Sequence, residues 1–148
     1  MPASSYQLKD LLPHRPPMQL IDKIIKCDLA ATTIETEAKI RSEWTDSVSA
    51  IELMAQTAAV LAGAADQASG YKGEPRPGFL LGTRNMELAI DKFVPGEICT
   101  IQARNIFSDA ETASFECTVK RADGTLAAKA TLNAYRPGDM GSFLATQN

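Results

Sequence analysis

Polar and apolar positions along this chain follow two periods. Residues 33–41 alternate strictly, with Ile34, Thr36, Ala38 and Ile40 on one face and Glu35, Glu37, Lys39 and Arg41 on the other. That is the period of a strand with one face on a core and one in water. Residues 19–27 (QLIDKIIKC) are dense in β-branched side chains and predict a strand before it. Ile51, Met54, Ala55, Ala58, Leu61, Ala62 and Ala65 then recur at helical spacing. They predict a helix over about residues 47–67, with Asp46, Ser47 and Ser49 as candidate N-caps. Its alanines spread over several faces, which predicts a helix enclosed on more than one side.

Beyond a turn-rich connection at 70–77 the period of two returns. Residues 79–90 form one candidate strand, closed by Val94-Pro95-Gly96. Cys99, Ile101, Ala103 and Phe107 alternate with Thr100, Gln102 and Arg104, and Ala113, Phe115, Cys117 and Val119 alternate with polar neighbours. Asp123-Gly124 reads as a two-residue hairpin turn before Leu126, Ala128, Ala130, Leu132 and Ala134. A short helix over 6–12 stops at Pro13, and the chain from 137 onward is expected to be a loose tail. The fold class is therefore α+β, a single domain over 1–137 with a tail at 138–148. Two strands, one long helix and four strands in meander predict a curved antiparallel sheet wrapped around the helix. Long edge strands in such a sheet invite pairing with a second copy.

Composition narrows the function classes. At 148 residues the chain has room for one core, and a net charge of −3 argues against a nucleic-acid surface. One histidine excludes a multi-His metal site within the chain. Cys27, Cys99 and Cys117 are odd in number, dispersed and inward in register, which predicts reduced, buried thiols. The start MPASS carries neither a basic nor an apolar signal region, and the apolar stretch 50–65 is short and interrupted by Glu52 and Gln56. These features predict a cytoplasmic protein with neither a membrane span nor a nucleic-acid partner.

Candidate chemistry is sparse. Glu52 lies one turn into the enclosed helix with Gln56 at i+4, so carboxyl and amide share one face. Desolvation there raises a carboxyl pKa and the helix N-terminus lowers it, the balance that tunes a proton-transferring group. A first-turn acid with no further role is the competing reading. His14, in LLPHRPP, is the one side chain ordinarily titrating near neutrality, or else a backbone-bonded junction residue. Gly78-Phe79-Leu80-Leu81-Gly82 permits close backbone approach, and Lys72, Arg76 and Arg84 gather near that strand's start. The sequence has no GxSxG, P-loop, dinucleotide or HExxH motif.

Two segments carry a family resemblance. Residues 11–24 (LLPHRPPMQLIDKI) are similar to the opening of 3-hydroxyacyl-acyl-carrier-protein dehydratases of the FabZ/FabA group. Residues 52–58 (ELMAQTA) resemble the helix that bears the catalytic Glu in those enzymes, and GFLLG and Val94-Pro95-Gly96-Glu97 resemble a later strand and turn. The loop 41–47 (RSEWTDS), where those enzymes carry a catalytic His, has none. With its PHRPPM start, IELMAQ helix and GFLLGTR strand, the chain resembles the ApeP-like predicted dehydratases of aryl-polyene biosynthesis.

The resemblance implies a hotdog fold and dehydration of 3-hydroxyacyl thioesters on acyl carrier protein, with no metal or organic cofactor. The PHR position is not the usual catalytic one in those enzymes, but with the loop histidine missing His14 is the one histidine able to act as base, across a dimer interface if necessary. Protonated Glu52 is then the expected acid, with a backbone N–H from the helix N-terminus or the Gly82 strand polarising the thioester. Gln56, Phe79, Gly82 and Arg84 are the expected substrate-binding residues, with Gln56 orienting Glu52 or a water. The phosphopantetheine arm is expected near Arg76 and Arg84. A homodimer or larger assembly is implied, or a heterodimer. Two alternatives remain open: a hotdog thioesterase using Glu52 to activate water, and a non-catalytic acyl-binding partner of an active dehydratase.

Overall fold

The computed structural model describes residues 6–76 and 78–136, so the expected tail and the boundary at 137–138 lie outside the described residues. In chain order the elements are α1 (Leu8–Leu11), β1 (Lys23–Asp28), β2 (Thr33–Lys39), a 3-10 turn (Ser42–Trp44), α2 (Ser49–Ala68), β3 (Phe79–Leu88), β4 (Ile98–Ser108), β5 (Thr112–Lys120) and β6 (Leu126–Tyr135). Six antiparallel strands form one sheet in the order β1-β2-β4-β5-β6-β3, and α2 packs on β2, β4, β5 and β6. Register shifts in four of the five strand pairs add local twist, which curves the sheet around the helix. This is the hotdog fold.

Alternation places β2, β4, β5 and β6 correctly, because each has one face on α2. Ile34, Thr36 and Ala38 are buried on β2, as are Cys99, Ile101 and Ala103 on β4. The four-strand meander needs correction. β4, β5 and β6 do run in meander, but β3 pairs with β6 at the far edge, and β4 inserts beside β2. The connection from β3 to β4 makes this crossing, anchored where the Ala89 N–H donates to Ala127 O and the Phe93 N–H to Thr45 O.

Smaller differences have local causes. β1 begins at Lys23, not at residue 19, because Gln56 captures the Leu20 N–H and the Asp22 carboxylate takes the Lys39 N–H, which ends the ladder. None of the three expected N-caps bonds the helix through its side chain; Asp46 instead accepts the Val48 N–H just before α2. The Asp123-Gly124 turn is longer than two residues. The Gly124 N–H donates to Arg121 O and the Arg121 N–H to Thr125 O, and Gly124 takes the positive φ of 86° that closes such a loop. Within the core, Thr57 donates to Leu53 O and shares a 2.8 Å bond with Thr36, so both buried hydroxyls are satisfied.

Candidate active site

A cavity of about 480 Å³ lies along α2, lined by Pro13, His14 and Glu52 and, further along, by Ala68, Arg76 and Arg136. Its helix wall is alanine: Ala55, Ala59, Ala62 and Ala65 face it, and Phe79, Leu80, Phe115 and Leu132 line it from the strands. The expected enclosure of the helix takes this form, one face against the core and a second on a channel.

His14 and Glu52 meet within one chain. Nε2 of His14 is 3.4 Å from Oε1 of Glu52, and each side chain is about one third exposed, at 33% and 35%. No dimer interface is needed to bring them together. The Nδ1 atom of His14 is buried without a hydrogen-bond partner among the described residues. A buried lone pair left unpaired costs less than a buried N–H left unpaired, so the favoured tautomer carries its proton on Nε2 and donates it to Glu52.

Gln56 explains how Glu52 is aimed. It is fully buried, accepts the Leu20 N–H at 2.8 Å, and donates from Nε2 to Met18 O at 2.8 Å and Glu52 Oε1 at 2.9 Å. Its amide therefore joins the 18–20 segment to the helix and holds the carboxylate. The hydrogen bond from His14 holds the Glu52 carboxyl below its ordinary value; burial opposes this and the Gln56 amide adds to it. These influences favour the ionised carboxyl, whereas the expected acid role calls for a protonated Glu52.

The other expected residues divide. Phe79 lines the cavity. Gly82 and Arg84 do not: Gly82 pairs with Asn133, and Arg84 lines a separate groove with Lys26, Glu35, Arg104 and Lys129. A Cβ at Gly82 would meet nothing within 4 Å, so no close approach requires that glycine in the single chain. The first N–H groups of α2 are also engaged, with Ser49, Ala50 and Ile51 donating to the carbonyls of Asp46, Ser47 and Val48. The helix N-terminus, one of the two expected sources of a thioester-polarising N–H, therefore has these groups already engaged.

Arg76 does line the cavity, at its far end, and it is engaged there by a partner that was not anticipated. Buried Asp66 receives Arg76 Nη2 at 2.8 Å and both Nη atoms of Arg136 at 2.6 and 3.1 Å. This clasp ties the end of α2 to β6 and to the 70–78 connection, at the opposite end of the cavity from Glu52. The sequence signal was an acid in the last turn of a helix, where the dipole disfavours it unless cations answer it.

Comparison with known proteins decides the family. The family model for ApeP dehydratases, ApeP-like, matches residues 6–145. This chain belongs to the ApeP-like dehydratase family. No curated protein matches the sequence. Among solved structures, a chain of the dehydratase heterocomplex ApeI:P from Xenorhabdus doucetiae superposes with TM-score 0.84 at 23% identity, covering 97% of this chain and 99% of that one. A hypothetical thioesterase with coenzyme A from Streptococcus pneumoniae gives 0.59 at 13% identity over 79% and 86% of the two chains. The E. coli PaaI protein from the phenylacetic acid degradation operon gives 0.59 at 11% over 78% and 82%. These likenesses are of fold. The ApeP-like chain is thus a hotdog protein of the kind that dehydratases and thioesterases share. Among the described residues, no helix is long and apolar enough to cross a membrane, and no cluster of three or more His, Cys, Asp or Glu residues suits a metal.

Proposed function

We propose that this protein dehydrates 3-hydroxyacyl thioesters borne by an acyl carrier protein to trans-2-enoyl thioesters, with Glu52 as the proton-moving group and His14 as its partner. The observation that carries this reading is the 3.4 Å His14–Glu52 pair at one end of an apolar cavity. Ionised Glu52 takes the α-proton, the β-hydroxyl departs as the double bond forms, and the proton passes from Glu52 to the hydroxyl, so that water leaves and the carboxylate is restored. His14 holds the carboxylate ionised and oriented between turnovers. The acyl chain follows the alanine wall past Phe79, and no cofactor takes part.

The test is incubation of purified protein with 3-hydroxyacyl- and enoyl-carrier-protein substrates, with products followed by mass. Reversible loss and gain of water, abolished in Glu52→Gln and lowered in His14→Ala, is expected. Free acid as the product would move the protein to the thioesterases.

A second reading is favoured by the loop 41–47, which has no histidine. In it the chain is the acyl-binding partner of an active hotdog dehydratase. The Xenorhabdus neighbour, described as a heterocomplex, supports such an assembly. A folded homodimer that binds substrate without turnover, and gains activity only with a partner chain, is its expected behaviour.

A further inference from the structure

The segment that carries His14 packs on α2 and comes closest to its backbone at Gly63. A Cβ built on Gly63 would fall 2.9 Å from the Cα and 3.0 Å from the carbonyl carbon of Leu11, with the Leu11 oxygen nearer still. These are backbone atoms and cannot swing aside. Gly63 sits among Ala62, Ala64 and Ala65, in a helix interior where glycine is less favourable than alanine. Close approach is the physical reason for a glycine there.

The tether from that contact to the site has little slack. Gly63 and Glu52 are eleven residues apart, about 16 Å along a helix axis. The three residues from Leu11 to His14 reach at most about 11 Å. The two side chains must close the remainder, and they do so at 3.4 Å. Leu11 and Leu12 are both buried, and Arg15 donates to Lys9 O, Leu12 O and His14 O, which stiffens the same turn. Beyond His14 the chain is fixed again, where Gln56 bonds Met18 and Leu20.

We propose that Gly63 is a positioning residue for the His14–Glu52 pair, acting through the Leu11 backbone. A side chain at 63 lifts Leu11 from the helix and draws His14 away from the carboxylate, leaving Gln56 as the sole hydrogen-bond donor to it. This rests on the pair being the site proposed above, but its measurement does not require turnover.

The experiment follows the Glu52 carboxyl carbon by NMR against pH in the full chain, for the unmodified protein, Gly63→Ala, His14→Ala and the double variant. In the unmodified protein the midpoint lies below the ordinary carboxylate value, because His14 is the main cause of its lowering. Gly63→Ala is expected to raise it toward the His14→Ala value, with no further rise in the double variant. Val119→Ala, which weakens the core on β5 away from this segment, should keep the low midpoint and so separates positioning from general destabilisation. If Gly63→Ala does not fold, Arg15→Ala loosens the same turn from the surface and must raise the midpoint as well. A midpoint unchanged in a folded Gly63→Ala, or in Arg15→Ala where that variant stands in, overturns the proposal. A raised midpoint in a protein that never turns over 3-hydroxyacyl substrates supports the positioning role and sinks the dehydratase reading alone.

Discussion

Glu52 titrates under three neighbours' influence, and the sign of each can be tested. The bond from His14 and the Gln56 amide lower its pKa while burial raises it. If turnover needs the carboxylate, the acid limb of the pH–rate profile falls below the ordinary carboxylate range. In His14→Ala the largest lowering cause is gone and burial remains, so the limb should move to higher pH while kcat/KM at neutrality drops about 10²-fold. A limb that stays in place would show that another group controls it. Stability follows the same sign. A lowered folded pKa stabilises above the unfolded carboxylate value, and that contribution fades as pH falls through the folded value. Gln56→Ala adds a different cost, since it strands the buried Leu20 N–H; one such group predicts a loss of about 1–3 kcal/mol in urea unfolding with unchanged m. At this scale His14, Glu52 and Gln56 were legible, because each is a polar residue where the pattern wants an apolar one or a loop. The protonation state was not, since it depends on an imidazole 38 positions away in the chain. Nor was Gly63, whose meaning lies in a backbone contact that no side-chain pattern encodes.

Elements were more legible than their order. Period-two alternation located β2, β4, β5 and β6 because α2 dries one face of each, and helical spacing located α2 to within two residues at its start and one at its end. Alternation says which face of a strand is buried and nothing about which strand lies beside it. The transfer of β3 to the far side of β6 was therefore unreadable, as was the detachment of Gly82 and Arg84 from the cavity. The same alternation makes a prediction about the thiols. Burial pushes both Cys99 and Cys117 from the ordinary 9.0 up to about 12. Folded protein keeps these protons where unfolded protein loses them, so stability should fall as pH rises from 9.0 toward 12. A thiol-reactive disulfide reagent should meanwhile label Cys99 and Cys117 only on unfolding; fast labelling of either in native protein would contradict their inward register. The alanine wall of α2 is testable in its turn. Ala59→Phe projects a ring into the cavity, and should cost acyl-substrate affinity at least tenfold while leaving the Glu52 titration in place.

The whole molecule leaves one feature unresolved by its own packing. β1 and β3 are the sheet edges, and β3 opens with Phe79, Leu80 and Leu81 at 39%, 44% and 64% exposure. Three consecutive exposed apolar residues on an edge strand form a template for another chain, and monomeric proteins ordinarily break such edges with charge. Phe79 and Leu80 also line the cavity, so a chain that pairs here covers part of the site wall. Pairing at this edge would link assembly to substrate binding through β3. Leu81→Lys places a charge at the most exposed of the three positions, where the single chain gives up little packing. It should shift sedimentation toward the monomer at micromolar concentration with little change in the unfolding midpoint of the isolated chain. Acyl-substrate binding should weaken with it, because the wall formed by Phe79 and Leu80 loses its cover. If sedimentation shows the same assembly before and after, β3 is not the pairing edge, and the association of this protein with its own copies or with a second hotdog chain runs through another face.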